Sequence, residues 1–210
     1  MDTFSVGAMF SFGWETFKKR SWFFIGITAL VLVISWLSGF LQGGGHAHAG
    51  IAAFIGFLAS VAISTFVDMG ATAIALKAEH DVAAPHVSDM WRPELFWKYL
   101  FANILVGILV GVGFLLLIVP GVVLAIVLVF VKFLVVDRGL WPIEAMRESA
   151  RITREHRLDL FLMVLVGIIL NIVGMIALLV GLLVTIPVTM LAFAHAYRTL
   201  EGRAGEVIAA

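Results

Sequence analysis

The sequence predicts an all-α integral membrane protein of six transmembrane helices, arranged as three hairpins, each preceded by an amphipathic segment on the inner side. Three observations predict it. Hydrophobic residues make up 62% of the 210, against roughly 45–50% in soluble globular proteins. The charged residues, 13% of the chain, gather into short links between long charge-free runs, as expected of helices of about 20 residues crossing a core of about 30 Å. Finally, a six-span arrangement puts all 14 Lys and Arg residues on one side, the side that the positive-inside rule makes cytoplasmic.

In chain order, residues 5–20 form the first inner segment, where Val6, Met9, Phe10, Trp14 and Phe17 recur at the spacing of a helix lying in the interface. The first span is 22–41 and the second 51–76, joined by the glycine-rich Gln42–Gly50 loop. Lys18, Lys19 and Arg20 ahead of an apolar run ending near Ala47-His48-Ala49 imitate a cleavable signal peptide. The run from Trp22 to Leu41 is 20 residues long, however, beyond the roughly 7–15 of a signal core. A retained span is the expectation.

Residues 88–98 form the second inner segment and 142–157 the third, where Pro142 suits a first helical position. The next charge-free runs hold 33 residues between Lys98 and Lys132 and 38 between Asp159 and Arg198. Each is long for one span and short for two. The basic residues arbitrate: two single spans would split them 8 to 6, whereas two tight hairpins keep all 14 together. The spans are then 99–118 and 121–136, turning at Val119-Pro120-Gly121, and 160–179 and 182–198, turning near Gly181. Trp14, Trp22, Trp91, Trp97, Tyr99, Trp141 and Tyr197 all fall near the inner face, where amphipathic rings favour headgroups.

An internal repeat accompanies this order. Ala8-Met9 and Phe24 match Ala145-Met146 and Phe161, and the last two hairpins align at an offset of 61, pairing Gly113 with Gly174 and Pro120 with Gly181.

Polar groups inside apolar runs are the site candidates, because they are costly at membrane depth and often functional. Asp68, Lys132 and His195 make a candidate inner-side polar pocket; Asp68 lies 17 residues into its apolar segment, about 26 Å from the outer end. Asn103 and Asn171 are candidates for interhelical hydrogen bonds. Arg138, Arg147, Arg151, Arg154 and Arg157 are candidates to face anionic headgroups, although the interleaved Asp137, Glu144, Glu148, Glu155 and Asp159 also suit a solvated helix. His46 and His48 are weak metal candidates that lack a third ligand. No metal or cofactor is expected. Gly107-Ile-Leu-Val-Gly111 and Gly39-Phe-Leu-Gln-Gly43 are GxxxG patterns, read as close packing within the monomer rather than a dimer interface.

The stretch Asp137-Arg138-Gly139-Leu140-Trp141-Pro142-Ile143-Glu144-Ala145-Met146-Arg147-Glu148-Ser149, followed by Phe161, Gly174, Pro187 and Ala196-Tyr197-Arg198, resembles a pattern of uncharacterised six-helix bacterial inner-membrane proteins. That group is related to the membrane domain attached to some glycerophosphodiester phosphodiesterases. The resemblance covers roughly residues 110–200. It implies six helices, carries over no functional residue, and leaves no room for a phosphodiesterase domain.

No Walker loop, nucleophile elbow, HExxH, EF-hand or dinucleotide-binding glycine pattern is present, so no enzyme is expected. A net charge of zero gives no case for nucleic acid. The expected partners are membrane lipids, another membrane protein or a second copy. The expected role is non-enzymatic, in assembling or regulating another membrane component at the inner membrane with both termini cytoplasmic. The alternative is transport or permeation of a small or lipidic solute, which repeated hairpins broken at Pro120 and Pro187 would suit.

Overall fold

The computed structural model describes residues 5–43, 51–80, 92–177 and 180–209, with side-chain surroundings for 5–37, 54–79, 92–177 and 180–202. The described residues are helical throughout, apart from short links: α1 Val6–Lys19, α2 Ser21–Gly43, α3 Ile51–His80, α4 Phe96–Leu116, α5 Ile118–Val127, α6 Val131–Arg138, α7 Pro142–Ile152, α8 Arg157–Ile176 and α9 Leu182–Ala209. Five segments are long and apolar enough to cross a membrane: Phe54–Glu79, Pro93–Leu116, Ile118–Arg138, Arg157–Ile176 and Leu182–Gly202. A sixth candidate joins α1 to α2 through a 99° bend, and α2 alone runs 23 residues. The protein is a multi-pass membrane protein. Its charged residues gather where α2, α4 and α8 begin and α3, α6 and α9 finish, called here the charged end; the opposite side is the turn end.

At the turn end, α4 folds back on α5 through a single extended residue, Leu117 (φ −163°, ψ 149°). The expected turn at Val119-Pro120-Gly121 therefore falls inside α5. Pro120 fits there because a helix's first turn leaves its N–H groups unpaired, so the missing donor costs nothing. So tight a return is possible because glycine meets glycine: a Cβ on Gly113 would stand 2.9 Å from the Gly121 Cα. The link from α8 to α9 repeats the device, since a Cβ on Gly181 would stand 2.5 Å from the Gly174 carbonyl oxygen. Both approaches are closer than any side chain tolerates.

The span Ile118–Arg138 is interrupted at Leu128–Phe130, where α5 stops and α6 starts. Neither Gly nor Pro marks the break. The Val131 N–H reaches the Leu128 carbonyl at 3.2 Å instead of the one four residues back, which frees the Val127 carbonyl. Ser149 of α7, fully buried, donates to that oxygen at 2.7 Å. A buried carbonyl without a donor costs about 1–3 kcal/mol, so α7 completes the broken span.

Local sequence sets both ends of the α6–α7 link. Gly139 has φ +62° and its N–H closes on the Val135 carbonyl at 3.0 Å, the left-handed stop that glycine adopts without strain. Pro142 then occupies the first turn of α7, and the Glu144 carboxylate accepts from the Trp141 N–H at 3.3 Å. Lys98 at the start of α4 holds the link by donating to the Gly139 carbonyl at 2.7 Å.

The apolar face of α1 is spent on the bundle. Met9, Gly13 and Phe17 are buried, chiefly against α9, where a Cβ on Gly13 would stand 2.6 Å from the Val188 carbonyl. In the segment 88–98, residues 88–91 lie outside the described ones, and the remainder is a 3-10 turn, Pro93–Leu95, running directly into α4 rather than a separate helix. The largest fully buried side chains, among them Tyr99, Phe130, Leu134, Leu160 and Tyr197, lie away from the turns. Leu115 to Val119 and Ile172 to Ile176, beside the turns, are largely exposed apolar residues.

Candidate functional site

Two polar centres stand out. In the first, Lys132 Nζ of α6 lies 2.6 Å from Asp68 Oδ2 of α3. The Tyr99 hydroxyl of α4 donates to the same Asp68 oxygen at 2.8 Å, and the Thr72 hydroxyl lies 3.3 Å from Tyr99. Asp68 lies 17 residues along α3 from Ile51 and Lys132 fourteen from Ile118, while Tyr99 is only three residues into α4, so the pair belongs to the charged-end half of the bundle. Those offsets are about 26 Å and about 21 Å from the turn end, toward the charged end. Lys132 also lies two residues past the interruption at Leu128–Phe130. Tyr99 is fully buried, but the two charged side chains remain 39% and 46% exposed on the flank of the bundle. An ion pair left open on the outside of the bundle is costly wherever acyl chains rather than headgroups or water meet it.

The second centre lies at the charged end and is built on Arg198. Its guanidinium donates to both Asp137 oxygens, at 2.9 and 2.7 Å, and to Glu201 at 3.3 Å. Glu79 lies 3.9 Å from its Nε, close enough for attraction but beyond a hydrogen bond. The buried Tyr197 hydroxyl is placed between Asp137 and Glu201, at 3.0 and 3.1 Å, with its ring packed on Phe130 and Phe133. Arg138 extends the network to Glu201 and Glu148, and Glu148 takes two hydrogen bonds from Arg151 at 2.8 and 2.6 Å. Those bonds hold the Glu148 carboxyl below its ordinary range and, reciprocally, push Arg151 up. Residues of α3, α6, α7 and α9 thus meet in one set of shared charges.

The structure divides the expected triad. Asp68 and Lys132 come together, but His195 joins the second centre: its Nδ1 lies 3.1 Å from Glu79 and its ring stacks on Phe12 of α1 at 3.9 Å. Glu79 is eleven residues beyond Asp68 on one helix, about 16 Å along its axis, which explains the separation.

Asn103 is half-buried one turn along α4 from Tyr99. Asn171 bridges helices, donating to the Gly167 carbonyl at 2.8 Å and to Thr189 at 3.3 Å, while Thr185 donates to its oxygen at 3.0 Å. It lines an open, largely apolar groove of about 440 Å³ between α8 and α9. The five arginines also divide: Arg138 and Arg151 are engaged by Glu148 and Glu201, whereas Arg147, Arg154 and Arg157 are exposed and make no ion pair or side-chain hydrogen bond among the described residues. His46 and His48 lie outside the described residues. Among the described residues no group of three His, Asp or Glu could hold a metal ion. Gly107 and Gly111 face open space, with no neighbour within 4 Å of a Cβ at either, so this GxxxG is not used for packing inside the monomer.

The Arg198 network escaped sequence reasoning because Asp137 and Arg198 are 61 residues apart.

The chain is similar to an uncharacterised protein of Mycobacterium bovis and to two uncharacterised proteins of Mycobacterium tuberculosis, each 28% identical over 162 residues. The match takes in 77% of this chain and 49% of the relatives, so the chain spans about half the length of the curated relatives it matches. No family model and no solved structure matches.

Proposed function

We propose that this protein is a non-enzymatic bundle of six spans in the inner membrane that assembles with another membrane component. Three hairpins cross from a cytoplasmic charged end, which carries both termini, and α1 and α7 lie at that face. The one-sided placement of Lys and Arg supports this orientation. The glycine contacts shared by the α4–α5 and α8–α9 turns support a repeated hairpin unit.

The observation that carries the assembly reading is the Asp68–Lys132 pair, half-exposed toward the charged end of two apolar spans. Acyl chains solvate an ion pair poorly, whereas a partner's polar groups would cover it. The test compares wild type with D68N and K132M after extraction from native membranes into nanodiscs. Co-isolation of one defined membrane component by the wild type, lost in both variants, supports the reading. Identical isolates from all three would refute it.

The interruption beside Lys132 favours a second reading, passage of a small solute through the same site, because broken spans near ionisable groups recur in transporters. Proteoliposome flux abolished by D68N would support that reading over assembly.

A further inference from the structure

We propose that the corner carrying Arg147 of α7, Arg154 of the following turn and Arg157 of α8 binds the anionic phospholipid headgroups of the leaflet at the charged end. The arginines of α7 and the following turn are not equivalent. Glu144 and Glu148 stand one turn apart on α7, and Glu148 takes up Arg138 and Arg151. Ile143 and Arg147 stand one turn apart on α7, Arg154 lies in the turn 153–155 after it and Arg157 opens α8, so the three exposed guanidinium groups follow one another around the α7–α8 corner. A helix face that mixes cations with apolar residues belongs at a membrane surface.

The neighbouring residues set the depth. Arg157 is the first residue of the span Arg157–Ile176, and Leu158 directly after it is 80% exposed. Phe161, Leu162 and Leu165 continue that exposed apolar face along α8, so Arg157 stands at the end of an apolar surface suited to acyl chains. Ile143 is 60% exposed and Trp141 58%, and Trp141 sits under Lys98 at 5.4 Å. An exposed indole at the start of α7 marks the headgroup level. With no acidic partner among the described residues, the three guanidinium groups have phosphate as their complement, which Arg can grip with two parallel hydrogen bonds.

This inference stands apart from the assembly reading, since neither Asp68 nor Lys132 takes part. It is tested on the full chain reconstituted in vesicles of equal parts phosphatidylglycerol and phosphatidylcholine, with the lipids retained after extraction counted by native mass spectrometry. The wild type should retain phosphatidylglycerol in clear excess. Each arginine near an anionic surface is worth roughly fivefold in partition, so R154Q alone should lower the excess by about that factor. The triple variant R147Q/R154Q/R157Q should return to the bulk ratio, and the corresponding triple Lys variant should keep most of the excess. The three side chains are exposed and make no ion pair that folding uses, so the variants should elute as the wild type does. A wild type that retains the two lipids in their bulk ratio, or a triple Gln variant as selective as the wild type, would overturn the proposal.

Discussion

The two ends of this bundle are held by opposite means. At the turn end backbone lies on backbone: Gly113 on Gly121 and Gly174 on Gly181, with separations that exclude a single methyl group. At the charged end, long side chains reach across gaps between helices, with Arg198 joining Asp137, Glu79 and Glu201. The first arrangement is steric and has one solution. The second is electrostatic, adjustable in geometry and sensitive to pH and salt. A bundle so built is rigid at its turns and open to modulation at its charged face.

The largest expected effect is at the turns. Gly181→Ala places a methyl group against the Gly174 carbonyl and Cα, at 2.5 and 2.6 Å. It should destabilise the protein by about 3 kcal/mol, as overpacking against backbone does. Gly107→Ala, facing open space, should be neutral or stabilising by up to about 1 kcal/mol through helix propensity. Thermal unfolding in detergent separates the two, and equal melting temperatures would break the contrast.

A smaller loss is expected at the charged end. Asp137→Asn leaves Arg198 without its two-oxygen partner, costing about 2 kcal/mol. Added salt should narrow the gap from the wild type here and leave the Gly181→Ala deficit unchanged. Ser149→Ala, which orphans the Val127 carbonyl, should cost about 1–2 kcal/mol independently of salt.

The smallest effect is on pH dependence. The Glu148 carboxyl is held below its ordinary range, first by its hydrogen bond to Arg151. Its contribution is therefore complete above the ordinary glutamate value of about 4.3 and is lost as pH falls below it. Glu148→Gln should flatten the acid limb of a melting-temperature profile between about pH 5 and 3, and an unchanged limb would exclude this ion pair as its source.

Much of this architecture was legible from the residues. Apolar run lengths predicted long helices, and α2, α3, α4 and α8 start within three residues of the expected 22, 51, 99 and 160, whereas α9 runs eleven residues past the expected end at 198; Gly113, Gly174 and Gly181 stood out through the repeat. The turn shifted to Leu117 because Pro120 suits a helix's first turn as well as a bend. The interruption at Leu128–Phe130 left no trace, since no residue there disfavours a helix. Tertiary packing of Phe130 on Tyr197 and the Ser149 hydroxyl sustain it. Asp68 and Lys132 were recognisable as costly groups, and so was His195. Which of them meet depended on helix packing, and Glu79, 116 residues from His195, carried no mark of its role.

The central claim is a bundle of six crossings with one cytoplasmic charged end. The chain contains no cysteine, so single-cysteine variants labelled with a membrane-impermeant maleimide test it without background. In intact spheroplasts His46→Cys and Val119→Cys should label, while Glu15→Cys and Glu155→Cys should label only after permeabilisation. Labelling of Glu155→Cys from outside would place the α7 region across the membrane and contradict the account.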